Sequence, residues 1–196
     1  VLDEAGQCIE PLAWCIIPLA EKIVLAGDHW QLPPTVLSLE AMRKGFNRSI
    51  LEVAISGSER VFLLNTQYRM KEAIAGFSSA YFYKQQLISP PQLANTGIHL
   101  PFIDTAGSGN QEMHGPDGSS LQNEGELSLA MKLIDSETLD PQNTAFISPY
   151  SGQVTAAKAS LPAGMRISTI DSFQGQEKEV IILSLVRSNE EGEIGF

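Results

Sequence analysis

Five short apolar runs set the fold class of this 196-residue chain: residues 23–26, 61–64, 144–147, 167–170 and 180–186. Short, mainly apolar runs of this kind are the pattern of parallel strands covered on both faces, since a strand with one wet face would alternate apolar and polar residues. Parallel strands need long crossovers, and helical stretches lie between the runs. Pro11 follows Glu10 at a first-turn position that proline tolerates, and Pro18 is expected to end that helix early. Asn123 and Glu126 form a capping pair ahead of Leu127, Ala130, Met131 and Ile134. The expected class is α/β, with parallel sheets flanked by helices.

Residues 104–125, rich in Gly, Ser, Asn and Asp, read as a solvated loop. Gly107-Ser108-Gly109 is not a phosphate cradle, because no Lys-Ser/Thr pair follows it. No apolar run approaches the roughly 20 residues of a membrane-spanning helix, and no charged-then-apolar leader is seen, so a setting without a membrane partner is expected, cytoplasmic or, in a eukaryote, nuclear as the alternative. Cys8 and Cys15, seven apart, are expected to share a helix face as buried, reduced thiols. With only His29, His99 and His114 beside them, no metal-binding cluster is predicted. The net charge of −10 argues mildly against a nucleic-acid partner. A narrow groove of amides, hydroxyls and aromatics can still grip a single strand.

The polar segments that follow the runs are the most specific part of the chain. Asp3-Glu4-Ala5-Gly6-Gln7 comes after an apolar start, Gly27-Asp28-His29-Trp30-Gln31-Leu32-Pro33-Pro34 after the run at 23–26, and Gln67-Tyr68-Arg69-Met70 after that at 61–64. Thr169-Ile170-Asp171-Ser172-Phe173-Gln174-Gly175-Gln176-Glu177 lies between the last two. Connections at the carboxyl ends of strands in open α/β sheets are where ligands bind. In this order and spacing the segments resemble the motifs of superfamily 1 class B helicases, the group that holds the nonsense-mediated-decay RNA helicase, senataxin and the immunoglobulin mu-binding helicase. The resemblance covers nearly the whole chain. It implies a RecA-like, P-loop NTPase core: residues 1–62 as the rear of the first RecA-like domain and 63–196 as most of the second, with the family's ATP site in the cleft between the domains.

Phosphoryl transfer needs a metal on the phosphates, a group to activate water and cations for the equatorial oxygens. Under the resemblance Asp3 holds the magnesium shell through water and Glu4 acts as general base, the plainer alternative being a helix-capping Asp3. Gln31, supported by Asp28, senses the γ-phosphate and couples it to the nucleic acid. Trp30 is expected to pack rather than stack on a base. Arg69 contacts the γ-phosphate, Tyr68 stacks on adenine and Gln67 steadies the turn, against an ordinary salt bridge beside a buried tyrosine. Gly175 allows close backbone approach, and Glu177 accepts from the ribose hydroxyls.

Ser168, Thr169 and Asp171 are expected to face single-stranded nucleic acid, as are Pro149 and Tyr150 of the segment Ser148-Pro149-Tyr150-Ser151-Gly152-Gln153, which a structural loop explains almost as well. Arg187-Ser188-Asn189 matches the family's strand ending. The chain starts at Val1 and stops at Gly195-Phe196 with no G-x-x-x-x-G-K-[ST] loop. It therefore reads as an internal fragment, expected to be inactive without the Walker A half of the same protein and the final arginine motif. The expected activity of the complete protein is ATP-dependent, magnesium-dependent movement on single-stranded RNA or DNA, 5′ to 3′ by resemblance. The alternative is a nucleic-acid-stimulated ATPase that serves as a nucleotide-gated scaffold.

Overall fold

A computed structural model describes residues 1–58, 60–94, 100–116 and 118–195. His99, Asp117 of the polar stretch and the terminal Phe196 lie outside the described residues. The chain forms two compact units, Val1–Leu100 and Pro101–Phe196.

In the first unit the helices are α1 (Glu10–Trp14), α2 (Leu39–Arg43), α3 (Ile50–Gly57) and α4 (Glu72–Tyr81). A small core of Ala5, Ala13, Ile50 and Leu51 joins α1 to α3, with Leu2, Cys8, Ile17, Leu25 and Ile55 packed around it. Ser49 starts α3 with a complete capping box: its hydroxyl accepts from the Glu52 amide at 3.1 Å, and Glu52 Oε2 accepts from the Ser49 amide at 2.8 Å. Each half satisfies a donor that the first helical turn leaves without a partner.

Four expectations change in this unit. The run at 23–26 pairs through a single parallel bridge, Leu2 with Leu25, rather than as a full strand. The run at 61–64 forms no strand, and its side chains are exposed. Pairing begins only afterwards, where Thr66 bridges Ile88, because a ladder needs a neighbouring backbone and the described residues offer one only from Asn65 onward. α1 already ends at Trp14, before Pro18, which sits in a separate 3₁₀ turn, Ile17–Leu19. With α1 confined to five residues, Cys8 and Cys15 flank it, and Cys15 is exposed.

The second unit carries the parallel sheet. β1 (Met113–His114) and β2 (Leu121–Gln122) form a short antiparallel hairpin. They are followed by α5 (Glu124–Ser136), β3 (Thr144–Ser148), α6 (Ser151–Ser160), β4 (Arg166–Thr169), α7 (Ile170–Phe173) and β5 (Val180–Leu183). Strand order is β4-β3-β5, all parallel, with Phe146 opposite Ile167 on one side and Ile182 on the other. Leu127, Ala130 and Ile134 of α5 and Val154 and Ala157 of α6 present stripes at helical spacing to Phe146 and Ile167, joined by Leu161 just past α6. Burying each of the larger side chains stabilises by about 1.5–3 kcal/mol.

Central β3 is buried throughout, as the apolar run predicts. Edge strand β5 differs, with Ile181 and Leu183 exposed in alternation and regular pairing ending at Leu183. The stretch at 104–125 is also more ordered than a solvated loop, since it holds the hairpin and the first residues of α5. No described helix is long and apolar enough to cross a membrane.

Candidate functional site

Asp3 and Glu4 leave a segment that runs parallel to residues 24–26: the Leu2 amide donates to the Val24 carbonyl at 2.9 Å, the Ala26 amide to Leu2 at 2.9 Å, and the Ala5 amide to Ala26 at 2.8 Å. Parallel neighbours deliver their next residues to the same end, so the acidic pair and the Gly27–Gln31 turn emerge side by side. The approach excludes side chains. A Cβ on Gly6 would lie 2.6 Å from the Asp28 carbonyl oxygen, and one on Gly27 would lie 2.8 Å from the Ala5 amide nitrogen. Glu4 has φ +50°, the left-handed region that a side chain disfavours. Its amide donates to Asp3 Oδ1 at 3.0 Å, and the Gln7 amide closes the turn onto the Glu4 carbonyl at 2.9 Å. Both carboxylates are exposed. An exposed hard-oxygen ligand beside a second carboxylate suits magnesium held through water. Among the described residues no group of three or more His, Cys, Asp or Glu forms a metal cage.

Asp28 organises the second turn. Its Oδ1 accepts from the Trp30 amide at 3.0 Å, and its Oδ2 accepts from Gln31 Nε2 at 2.8 Å and from the Tyr83 hydroxyl. Burial, then the hydrogen bond to Asp28 and its charge, push the Tyr83 hydroxyl up to about 12. Trp30 packs at 4.7 Å from the His29 ring and 6.0 Å from Phe82 while staying half exposed. Sequence reasoning missed Tyr83, which lies just past α4 with no motif around it.

Gln67 builds the third turn with its own amide group. Oε1 accepts from the amides of Arg69 at 3.1 Å and Met70 at 2.8 Å, and Nε2 donates to the Met70 carbonyl and to Ser89 Oγ at 2.7 Å. Tyr68 projects from this turn, 70% exposed, with Arg69 exposed beside it.

In the second unit the proposed nucleic-acid residues sit at the carboxyl ends of adjacent strands. β3 ends at Ser148 and leads through Pro149 and Tyr150 into α6; β4 ends at Thr169 and leads into α7. The crossover through α6 goes from β3 to β4, and the return through α7 goes back past β3 to β5. The two connections thus leave the adjacent ends of β3 and β4 in opposite directions, and the carboxyl ends of strands are where α/β sheets bind ligands.

Thr169 caps α7, accepting from the Ser172 amide at 3.4 Å and donating to Ser172 Oγ at 2.9 Å. Asp171 and Glu177 are exposed, and Pro149 is half-buried. Ser168 is buried, and its hydroxyl has no partner among the described residues. Tyr150 is buried too, its hydroxyl donating to the Gly195 carbonyl. Gly175 has φ +76° with open space where a Cβ would point, so the turn rather than crowding calls for glycine.

Behind this edge lies a polar network of which the sequence shows Asn123 and Glu126 as a capping pair, and Gln153 and Ser188 within polar segments, but not how they join. Asn123 Oδ1 caps α5 by accepting from Glu126 at 3.1 Å, and its Nδ2 donates to the Val186 carbonyl at 3.1 Å. The Glu126 side chain does not return to the cap. Its Oε2 accepts from Ser184 Oγ at 2.5 Å and the Val186 amide at 3.1 Å. Gln153, fully buried, joins Asn123 to Ser184. Val186, also fully buried, is held at φ +70°. Just beyond it, Glu112 Oε2 accepts from the Ser188 amide at 2.7 Å and lies 3.3 Å from Arg187 Nε.

Two AAA-domain family models match the chain, one over residues 1–39 and one over 46–196. Over its whole length the chain is 37% identical to DNA-binding protein SMUBP-2 of Mesocricetus auratus, covering 22% of that protein. It is 34% identical to DNA polymerase alpha-associated DNA helicase A of Saccharomyces cerevisiae, covering 34%, and 33% identical to a regulator of nonsense transcripts 1 homolog of Arabidopsis thaliana, covering 18%. The chain thus spans about a fifth to a third of the curated relatives it matches. It belongs to the superfamily 1 class B helicases, and its α/β fold is the RecA-like core of that family.

Proposed function

We propose that the full-length protein hydrolyses ATP to move along single-stranded nucleic acid, 5′ to 3′, and so separates duplexes. The observation that carries this reading is the packing of the Asp3-Glu4 turn against the Gly27–Gln31 turn, with Gly6 and Gly27 allowing backbone contact. It brings an acid pair and a neutral amide to one end of a strand pair, the part of a phosphoryl-transfer site that holds the metal and activates water. Relatives named as DNA helicases support the motor part of the reading.

Magnesium bound through water to Asp3 would neutralise charge on the phosphates. Glu4 takes a proton from the attacking water, and Gln31, held by Asp28, orients that water. Arg69 meets the γ-phosphate from the turn that Gln67 shapes, while Tyr68 offers its exposed ring to adenine. Glu177, two residues beyond the Gly175 turn, accepts from the ribose. Thr169, Asp171 and Pro149 give the strand its accessible surface, and the buried Ser168 and Tyr150 shape that surface from beneath. Residues 1–62 remain in this reading the rear of the first RecA-like domain and 63–196 most of the second, with α3 packed on the core around Ala5 and Ala13. An exposed free Cys15 fits a reducing, cytoplasmic setting.

The test uses duplexes with a 5′ or a 3′ single-stranded overhang, in RNA and in DNA. ATP-dependent unwinding of the 5′-tailed substrate is expected. Strand-stimulated ATPase without unwinding would replace the motor with a nucleotide-gated scaffold.

Arg69→Ala should bring ATP and ADP affinities together, because the guanidinium meets only the phosphate that ADP lacks. A charge-assisted hydrogen bond is worth about 1.5–3 kcal/mol, so ATP affinity should fall by roughly 10- to 150-fold. Equal losses for the two nucleotides would make Arg69 structural.

A further inference from the structure

We propose that Tyr83 is a positioning residue that sets the orientation of Gln31 through Asp28 and ties it to the turn carrying Arg69. The proposal rests on the ATPase reading of Gln31 given above.

Tyr83 and Gln31 share one acceptor. Both the Tyr83 hydroxyl and Gln31 Nε2 donate to Asp28 Oδ2, across 55 residues of sequence in the case of Tyr83. An ionised carboxylate only accepts, so the Gln31 amide must turn its NH₂ toward Asp28. Its carbonyl oxygen is then the atom left to accept from a water. The Phe82–Trp30 ring contact braces the same junction. Without the Tyr83 hydroxyl, Asp28 loses a charge-assisted bond and Gln31 loses its fixed partner geometry.

Tyr83 is also joined to the Arg69 turn by a rigid connection. α4 runs for ten residues, Glu72–Tyr81, which is about 15 Å of helix. The Gln67–Met70 turn stands at its amino end and Tyr83 just past its carboxyl end. There, consecutive left-handed residues, Lys84 at φ +52° and Gln85 at φ +62°, stop the helix, and the Gln85 amide bonds back to Ser79 at 2.8 Å. A displacement of the Arg69 turn is therefore transmitted along α4 to the bond that holds Asp28, and from there to Gln31. α4 is a single unbroken ten-residue helix with Ala75 buried.

The experiment is a double-mutant cycle in the full-length protein with Tyr83→Phe and Gln31→Ala, read in kcat and KM for ATP with and without a single strand. Tyr83→Phe should lower kcat about 10-fold, within the range of couplings between sites, and leave KM nearly unchanged. In a Gln31→Ala background it should do nothing more, because its route is gone. Losses that multiply would overturn the proposal. Hydrogen exchange gives an independent readout, with amides 28–31 exchanging faster in Tyr83→Phe and those of α5 unchanged. Unaltered exchange at 28–31 would likewise overturn it.

The two readings fail separately. A wild type that turns over ATP but ignores strands removes the motor, while the cycle is still read in basal turnover. A wild type without turnover removes the ATPase reading, and exchange alone then decides Tyr83.

Discussion

Glu4→Gln in the full-length protein should lower ATP turnover by about 100- to 10,000-fold, the usual contribution of a general base, with ATP affinity almost unchanged. The amide keeps the size and shape of the side chain and loses only the capacity to take a proton. The local structure supports so clean a result. The turn at residues 3–7 is made by backbone bonds, from Ala5 to Ala26 and from Gln7 to Glu4, together with the Asp3 carboxylate on the Glu4 amide. None of these uses the Glu4 side chain, so its replacement leaves the turn standing. The left-handed backbone at Glu4 is consistent with a residue held for its position, since strain of this kind collects at functional sites. Nucleotide binding followed by fluorescence, beside steady-state turnover, makes the check. Turnover near wild type would remove Glu4 from the chemistry, and a parallel loss of binding would make it a ligand instead of a base.

What could be read in the sequence was what depends on local chemistry. Asn123 as a cap, the buried run of β3 and the polar turns after each apolar run need only nearby residues to be recognised. Pairing partners are not local. The run at 61–64 has the composition of a strand, yet its ladder begins only at Asn65, because Ile88 supplies the opposing backbone there. The run at 180–186 looks the same as a central strand, but its place at the sheet edge leaves Ile181 and Leu183 uncovered. Long-range polar contacts were the least visible. Tyr83 on Asp28 and Glu112 on Ser188 join residues 55 and 76 apart, and a lone tyrosine or glutamate carries no sign of its partner. Cys15 shows the converse, for two thiols seven apart suggest one helix face only if the helix is long enough to hold both, and α1 is not.

The second large effect is expected at Gln153, where replacement by leucine should destabilise the protein by about 3–5 kcal/mol. Gln153 is fully buried; its Oε1 accepts from the Asn123 amide at 2.8 Å, and its Nε2 donates to the Asn123 carbonyl at 3.1 Å and to Ser184 Oγ at 2.8 Å. Leucine fills a similar volume and satisfies none of the three. Losing three buried bonds at about 1 kcal/mol each, with the Asn123 amide left unpaired at a further cost of about 1–3 kcal/mol, gives roughly this range; it goes no higher because Ser184 keeps its bond to Glu126 and the Asn123 carbonyl keeps the Leu127 amide. At about 2–4 °C per kcal/mol for a chain of this size, the melting temperature should fall by roughly 10 °C. The effect should reach further than the helix that carries it. Val186 is β-branched and sits at φ +70° with Glu126 holding its amide and Asn123 its carbonyl, and Gln153 bonds to Asn123 and to the Ser184 that Glu126 holds. With that hold loosened, Val186 should relax toward the extended region that its side chain prefers. Hydrogen exchange at residues 186–189 should then rise, and Arg187 should lose its fixed place beside Glu112. Thr155→Leu, an exposed change on the same helix, serves as the control and should stay within about 0.5 kcal/mol of wild type. If Gln153→Leu melts with the control, the network does not order this edge, and the left-handed Val186 must be held by packing alone.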